Sequence, residues 1–273
     1  MNNPFKALRF ERSGGVATVT LDNPATRNAF DSNMREELAQ VVAQVRADRE
    51  LRAMVLTGAN GSFCSGGDLR GLSSTGLDGV GWRDRMQDLH HWLRDLILLD
   101  KPVIAAVDGA AYGAGFSLAL AADFVLATPR ARFCMSFMRL GLAPDCGAFY
   151  TLPRIVGAQR AKELMLSARE VVAAEAQALG IVMELHEPAQ LLSRANALAA
   201  SFAGASPTAV SLIKRTLADP GALSSALDSE ANGQALAFGS AEYRRAVQLF
   251  LDKEPLPFQW PARPADTNSG NKG

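Results

Sequence analysis

The chain has 273 residues, 48% of them hydrophobic, enough for one large core with an appended element. Its 28 basic residues balance 28 acidic ones, which argues against a general binder of nucleic acid or membrane surfaces but leaves room for a local basic patch. Three cysteines (Cys64, Cys134, Cys146) show neither metal-site spacing nor a disulfide framework, and no apolar run has signal-peptide or transmembrane character, so a soluble cytoplasmic protein is expected.

The sequence opens as a hairpin. "KALRFER" and "VATVTL" flank Ser13-Gly14-Gly15, with Val16, Thr18 and Thr20 on one face and Ala17, Val19 and Leu21 on the other. Asp31 is placed to cap a helix running to about Arg46, with Met34, Leu38, Val41, Val42 and Val45 as its apolar stripe. Ala53 to Thr57 reads as a buried strand and leads into a first glycine-rich stretch, "FCSGGDL", Phe63 to Leu69. Gly71 to Gly81 lacks periodicity and reads either as an exposed loop or as a lid. The helix that follows carries His90 and His91; a solvated helix face accounts for both unless a site recruits one of them. Pro102 to Val107 is a second buried strand, entering "DGAAYGAGFSLALAAD", Asp108 to Asp123. There the glycines run straight into an Ala- and Leu-rich helix, whose first N–H groups and positive end point into the loop. Two backbone donors converging from the two loops would make an oxyanion hole. Asp145 lies in "GLAPDCGAFYTLPRIVG", as a proton carrier or as the N-cap of the helix opening at Gly147. Strand, loop and helix alternate to about Glu187, the pattern of an α/β core. From Pro188 helices dominate, at roughly 188–203, 207–218, 222–238 and 240–252. The polar tail from residue 261 to 273 is expected to be disordered.

At the two glycine stretches the chain resembles the crotonase (enoyl-CoA hydratase/isomerase) superfamily, and the resemblance extends from about Phe5 to Phe258. It implies a spiral of repeated ββα units over residues 1–203 holding the CoA and acyl site, and a C-terminal helical trimerisation region over 204–260. A homotrimer or dimer of trimers is therefore expected. The substrate would be an acyl-CoA thioester, with CoA part of the substrate and no metal or other cofactor. Gly67 and Ala114 match the oxyanion donors. Arg27 and Ala29 in "NPATRNAF", together with Ser65, Asp68 and Leu69, match CoA-channel positions, and Phe250 and Lys253 match a C-terminal CoA-contacting pair often supplied by a neighbouring subunit.

Where hydratases of the superfamily carry two glutamates, this chain has Ser117 and Phe137. Neither a serine hydroxyl nor a phenyl ring exchanges protons with water at neutral pH. The local text around Asp145 is most similar to the epoxyphenylacetyl-CoA and enoyl-CoA isomerase branch, which uses a carboxylate there to shuttle a proton along the acyl chain. Trp82, Phe133, Phe137 and Met138 are expected to line the acyl pocket, and Phe133, Phe137, Met138 and Phe149 to make it apolar enough to raise the Asp145 pKa. Three other functions stay open: a hydratase with water placed by Asp145 or Ser117 alone; an aryl-CoA dehalogenase or hydrolase with Asp145 as nucleophile and His90 as base; and a non-catalytic acyl-CoA binder.

Overall fold

The computed structural model describes residues 5–261. In chain order its elements are β1 (Leu8–Ser13), β2 (Val16–Leu21), α1 (Ser32–Ala47), β3 (Ala53–Gly58), α2 (Leu69–Ser73), α3 (Gly79–Ile97), β4 (Val103–Val107), β5 (Ala110–Tyr112) and α4 (Ala114–Leu120). They continue as β6 (Phe124–Ala127), β7 (Arg132–Cys134), α5 (Ala148–Val156), α6 (Ala158–Ser167), β8 (Glu170–Val172), α7 (Ala173–Ala178), β9 (Glu184–Leu185), α8 (Pro188–Ser201), α9 (Pro207–Leu217), α10 (Pro220–Phe238) and α11 (Ala241–Leu251).

A six-stranded sheet runs β1-β2-β3-β4-β6-β9, parallel throughout except for the β1–β2 hairpin, and a three-stranded sheet runs β5-β7-β8. The spiral is visible in the pairing. Each of β4 and β6 is followed by a short partner in the small sheet, β5 and β7, which pair in parallel. After β3 the partner shrinks to one residue, Cys64, bridged in parallel to Ala111. A parallel sheet must be covered on both faces. Ala17, Val19 and Leu21 enter the main core with the α1 stripe, whereas Val16, Val55, Ile104 and Leu126 pack under Leu191, Ala195 and Ala199 of α8. Thr18, on the α8 side, donates from Oγ1 to Asn196 Oδ1 at 3.0 Å. The alternation in "VATVTL" therefore sorts one strand between two helical layers. Asp31 caps α1 by accepting from the Met34 N–H at 2.8 Å.

Two features depart from the sequence-based expectation. The unstructured stretch is shorter than Gly71 to Gly81: α2 ends at Ser73, and Asp78 Oδ1 accepts from the Gly81 N–H to open α3, leaving 74–78 between them. A single helical turn is too short to carry a periodic signal. The 204–260 region does not pack as one appended element. α10 lies along α3, and Leu223, Leu227, Ala231 and Phe238 join the main core. α9 buries no residue at all and leaves Leu212, Ile213 and Leu217 exposed. The tail expected to be disordered falls outside the described residues from 262 onward. No helix among the described residues is long and apolar enough to cross a membrane.

Candidate active site

Backbone contacts bring the two glycine stretches together. Buried Asn28 donates from Nδ2 to the carbonyls of Ala59 and Ser62, pinning the segment that carries Arg27 and Ala29 against the end of β3. Ser65 N–H then donates to Arg27 O, and Phe30 N–H to Gly66 O. Across the spiral, Cys64 N–H donates to Ala110 O and Tyr112 N–H to Cys64 O. The approach is close enough to require glycine. A Cβ on Gly115 would sit 2.4 Å from Cys64 O, and Gly66, at φ +100°, lies where a Cβ would be 2.9 Å from Tyr112 O. The result is that Gly67 and Ala114 line one cavity, and neither N–H has a hydrogen-bond partner among the described residues. Two unpaired amides facing one space can hold a developing oxyanion.

That cavity, about 70 Å³, also holds Asp145, Phe137, Leu72 and Phe238. It is far smaller than a site for a whole nucleotide-bearing ligand, roughly 300 Å³ or more, and suits only the reacting end of one. Asp145 is buried; Oδ2 accepts from Gln234 Nε2 at 2.7 Å, the Cys146 thiol also acts on the carboxyl, and Oδ1 has no hydrogen-bond partner among the described residues. Burial pushes its carboxyl up to about 6, against the Gln234 hydrogen bond, which favours the charged form; the Glu230 carboxylate adds to the rise. A base of that strength is mostly ionised at neutral pH yet close enough to it to both take and return protons.

The sequence left Asp145 between proton carrier and helix cap, and the cap is supplied from elsewhere. The side chain of Asp145 makes no capping bond to α5. Instead Glu230, on α10 and fully buried, accepts from Gly147 N–H at 2.8 Å and from Phe149 N–H at 3.3 Å. Glu230 thereby satisfies the orphan amides of α5 and fixes the loop bearing Asp145. Its Oε2 lies 3.4 Å from His90 Nε2. His90 is thus a buried residue against Glu230 and not a member of the cavity lining, while His91 is exposed, so the expectation of a solvated face fails for His90.

Other expected site residues divide. Leu69 and Phe137 line the cavity, and Ser65 and Asp68 adjoin it along the first glycine stretch. Ser117 is buried, donates from Oγ to Gly113 O at 3.3 Å and is absent from the lining. Four pocket expectations are corrected, the first being Phe149, which is exposed and absent from the lining. Phe133 is fully buried against Phe116, 5.2 Å between ring centroids, because β7 turns it into the core. Trp82 is stacked behind Phe238 at 4.0 Å, and Phe238 takes the lining position. Met138 lies on the half-buried outer side of the 136–140 turn. Phe250 and Lys253 are exposed and absent from this lining. Cys64 and Cys146 are buried thiols pushed up by burial, Cys64 to about 12, consistent with small apolar fillers.

Five lining or supporting residues were missed: Arg35, Arg85, Glu230, Gln234 and Phe238. For the last three a signal existed. The α10 stripe Leu223, Leu227, Glu230, Gln234, Phe238 has helical spacing, and polar residues within an apolar stripe mark a buried polar site.

The enoyl-CoA hydratase/isomerase family model matches residues 11–261. The chain belongs to this family, the crotonase superfamily, and is an acyl-CoA enzyme of that class. It is 38% identical over 248 residues to 1,2-epoxyphenylacetyl-CoA isomerase of Escherichia coli K12, covering 89% of this chain and 95% of the relative. It is also 38% identical over 259 residues to a probable enoyl-CoA hydratase of Rhodobacter capsulatus, covering 93% and 98%. The crystal structure of an enoyl-CoA hydratase from Mycobacterium avium subsp. paratuberculosis K-10 superposes with a TM-score of 0.83 at 27% identity, over 94% of this chain and all of that one.

Proposed function

We propose that this protein is an acyl-CoA isomerase that shifts a double bond, or opens a strained ring, next to the thioester. The observation that carries the reading is a single buried carboxylate, Asp145, with one free oxygen in a cavity that also presents two unpaired amides. The acyl carbonyl sits between the Gly67 and Ala114 N–H groups. Asp145 Oδ1 takes a proton from one carbon, the electron pair moves into the enolate held by the amides, and the protonated carboxyl, exchanging with solvent, delivers a proton to another carbon as the double bond re-forms. No water is consumed. Ser117 and Phe137, standing where a hydratase keeps its glutamates, offer no second acid–base group, and a relative named as an isomerase agrees with this. CoA runs over Arg27, Ala29 and the Ser65–Leu69 backbone, with Phe250 and Lys253 reaching the CoA of a neighbouring copy.

The test is product mass. A β,γ-enoyl-CoA incubated with the enzyme is expected to give an α,β-isomer of unchanged mass. A product heavier by one water as the main outcome overturns the reading in favour of a hydratase. Bound thioester with no conversion overturns it in favour of a mere binder.

Loss of the Gln234 bond has a directed consequence. Gln234→Leu removes a hydrogen bond that favours the ionised carboxyl, so the Asp145 pKa rises above its value of about 6. Because the base must be ionised, the acid limb of the pH–rate profile is expected to move to higher pH, and an unmoved limb contradicts the assignment.

The same reading includes assembly as a homotrimer or dimer of trimers, supported by α9, whose Leu212, Ile213 and Leu217 face solvent in the single chain. Sedimentation is expected to give a trimer or hexamer for the wild type and smaller species for Leu217→Asp. A monomeric wild type sinks this part of the proposal.

A further inference from the structure

Two cations line the reaction cavity and have no ion-pair partner among the described residues. Arg35, from α1, and Arg85, from α3, are both half-buried members of the lining that contains Asp145 and the Gly67 and Ala114 amides. Arg35 Nε and Nη1 are buried with no hydrogen-bond partner. Neither guanidinium forms an ion pair or a hydrogen bond with any described residue; Arg85 only approaches the Trp82 ring, at 6.0 Å. Asp88 and Glu36, the carboxylates that act on Arg35, are both exposed and outside ion-pair distance. Burial lowers both pKa values, and Arg35 itself lowers that of Arg85, the mark of like charges sharing a partly dry space.

An arginine does not relieve this by losing its proton. Buried donors without partners are costly, and two of them around one cavity, on different helices, need an acceptor that enters from outside. Asp145 does not fill the role, since its Oδ2 is taken by Gln234 and neither guanidinium reaches ion-pair distance. The CoA phosphates do not fit either, because a space of about 70 Å³ beside the reacting groups takes the acyl end of the thioester. A planar two-oxygen anion matches the guanidinium fork.

Resting on the reading of this cavity as the acyl site, we propose that the preferred substrate is an acyl-CoA whose acyl group ends in a carboxylate, bound by Arg35 and Arg85. The enzyme would then act downstream of chemistry that leaves a free acid at the far end of the acyl chain, such as oxidative opening of a ring or ω-oxidation. Its product would remain a dicarboxylic thioester.

Calorimetric binding to the whole wild-type protein tests this with freshly prepared saturated thioesters, which lack the reacting double bond, at two lengths: glutaryl-CoA against pentanoyl-CoA, and adipyl-CoA against hexanoyl-CoA. The carboxylate form is expected to bind about tenfold or more tightly at one length at least. Arg35→Met and Arg85→Met are expected to reduce the preference, taken as the ratio of the two affinities within each variant, to within about twofold. Arg35→Lys, which keeps the charge, retains part of the preference and answers for folding. Equal affinity in the wild type overturns the proposal, as does a preference that survives both Met variants. If no thioester of either kind binds, the acyl-site reading fails with it, whereas equal binding of both kinds leaves that reading standing and removes only this one.

Discussion

Asp145→Asn is expected to make the protein more stable at pH 8 while reducing proton transfer by about 10²- to 10⁴-fold. The stability gain follows from the direction of the shift. Burial raises the carboxyl from 3.8 to about 6, so between those values the folded protein binds a proton that the unfolded chain releases. Stability from this group is therefore fully retained below about pH 4 and is lost as pH rises through 6. Above 6 the ionised carboxyl costs about 3 kcal/mol at most, from a rise of roughly two pKa units. Asparagine keeps the shape and the contact with Gln234 but not the charge. Thermal melts across pH should show the variant ahead of the wild type at pH 8, with the gap closing toward pH 4. A variant less stable than the wild type at pH 8 would mean that Asp145 is held as an ion by its surroundings and is not poised as a base.

Gly115→Ala is expected to damage both stability and turnover, although it adds a single methyl group. Alanine improves helix propensity by about 1 kcal/mol, which alone would stabilise α4. Against this, the new Cβ would lie 2.4 Å from Cys64 O and 2.7 Å from Cys64 Cβ, where backbone and not a flexible side chain must move. Overpacking of that kind costs about 1–3 kcal/mol or more, so the clash wins. The functional effect is larger. Cys64 and Gly115 are the contact between the two loops, and separating them draws the Gly67 amide from the Ala114 amide. Losing the alignment of one oxyanion donor is worth about 10²–10³ in kcat. Denaturant unfolding should show reduced stability, and turnover should fall with little change in KM. Wild-type turnover in this variant would remove Gly67 and Ala114 from the mechanism.

What could be read from the sequence was local in the chain. The α1 stripe, the "VATVTL" alternation and the two glycine stretches each sit within one element, where spacing alone reports which face is buried. Asp145 was legible as a carboxyl beside a helix start, but its role was not, because the group that caps that helix lies 83 residues away in Glu230 and its own hydrogen-bond partner 89 residues away in Gln234. His90 was misread for the same reason: beside His91 it looks solvated, and only the docking of α10 on α3 buries it against Glu230. Arg35 and Arg85 fall beside apolar stripe positions, Met34 and Met86, where a charged side chain normally reaches water. The sequence showed helices from Pro188 onward but not that α10 completes the cavity of its own chain through Gln234 and Phe238.

The central claim is that Asp145 moves a proton along an enolate held by Gly67 and Ala114. The measurement that tests it most directly is uptake of solvent deuterium into a β,γ-enoyl-CoA, read by mass spectrometry for the wild type and for Asp145→Asn. The mechanism predicts deuterium in the acyl chain with the wild type and none above background with the variant. Equal uptake by both proteins, or none by a wild type shown to bind the thioester, would contradict it.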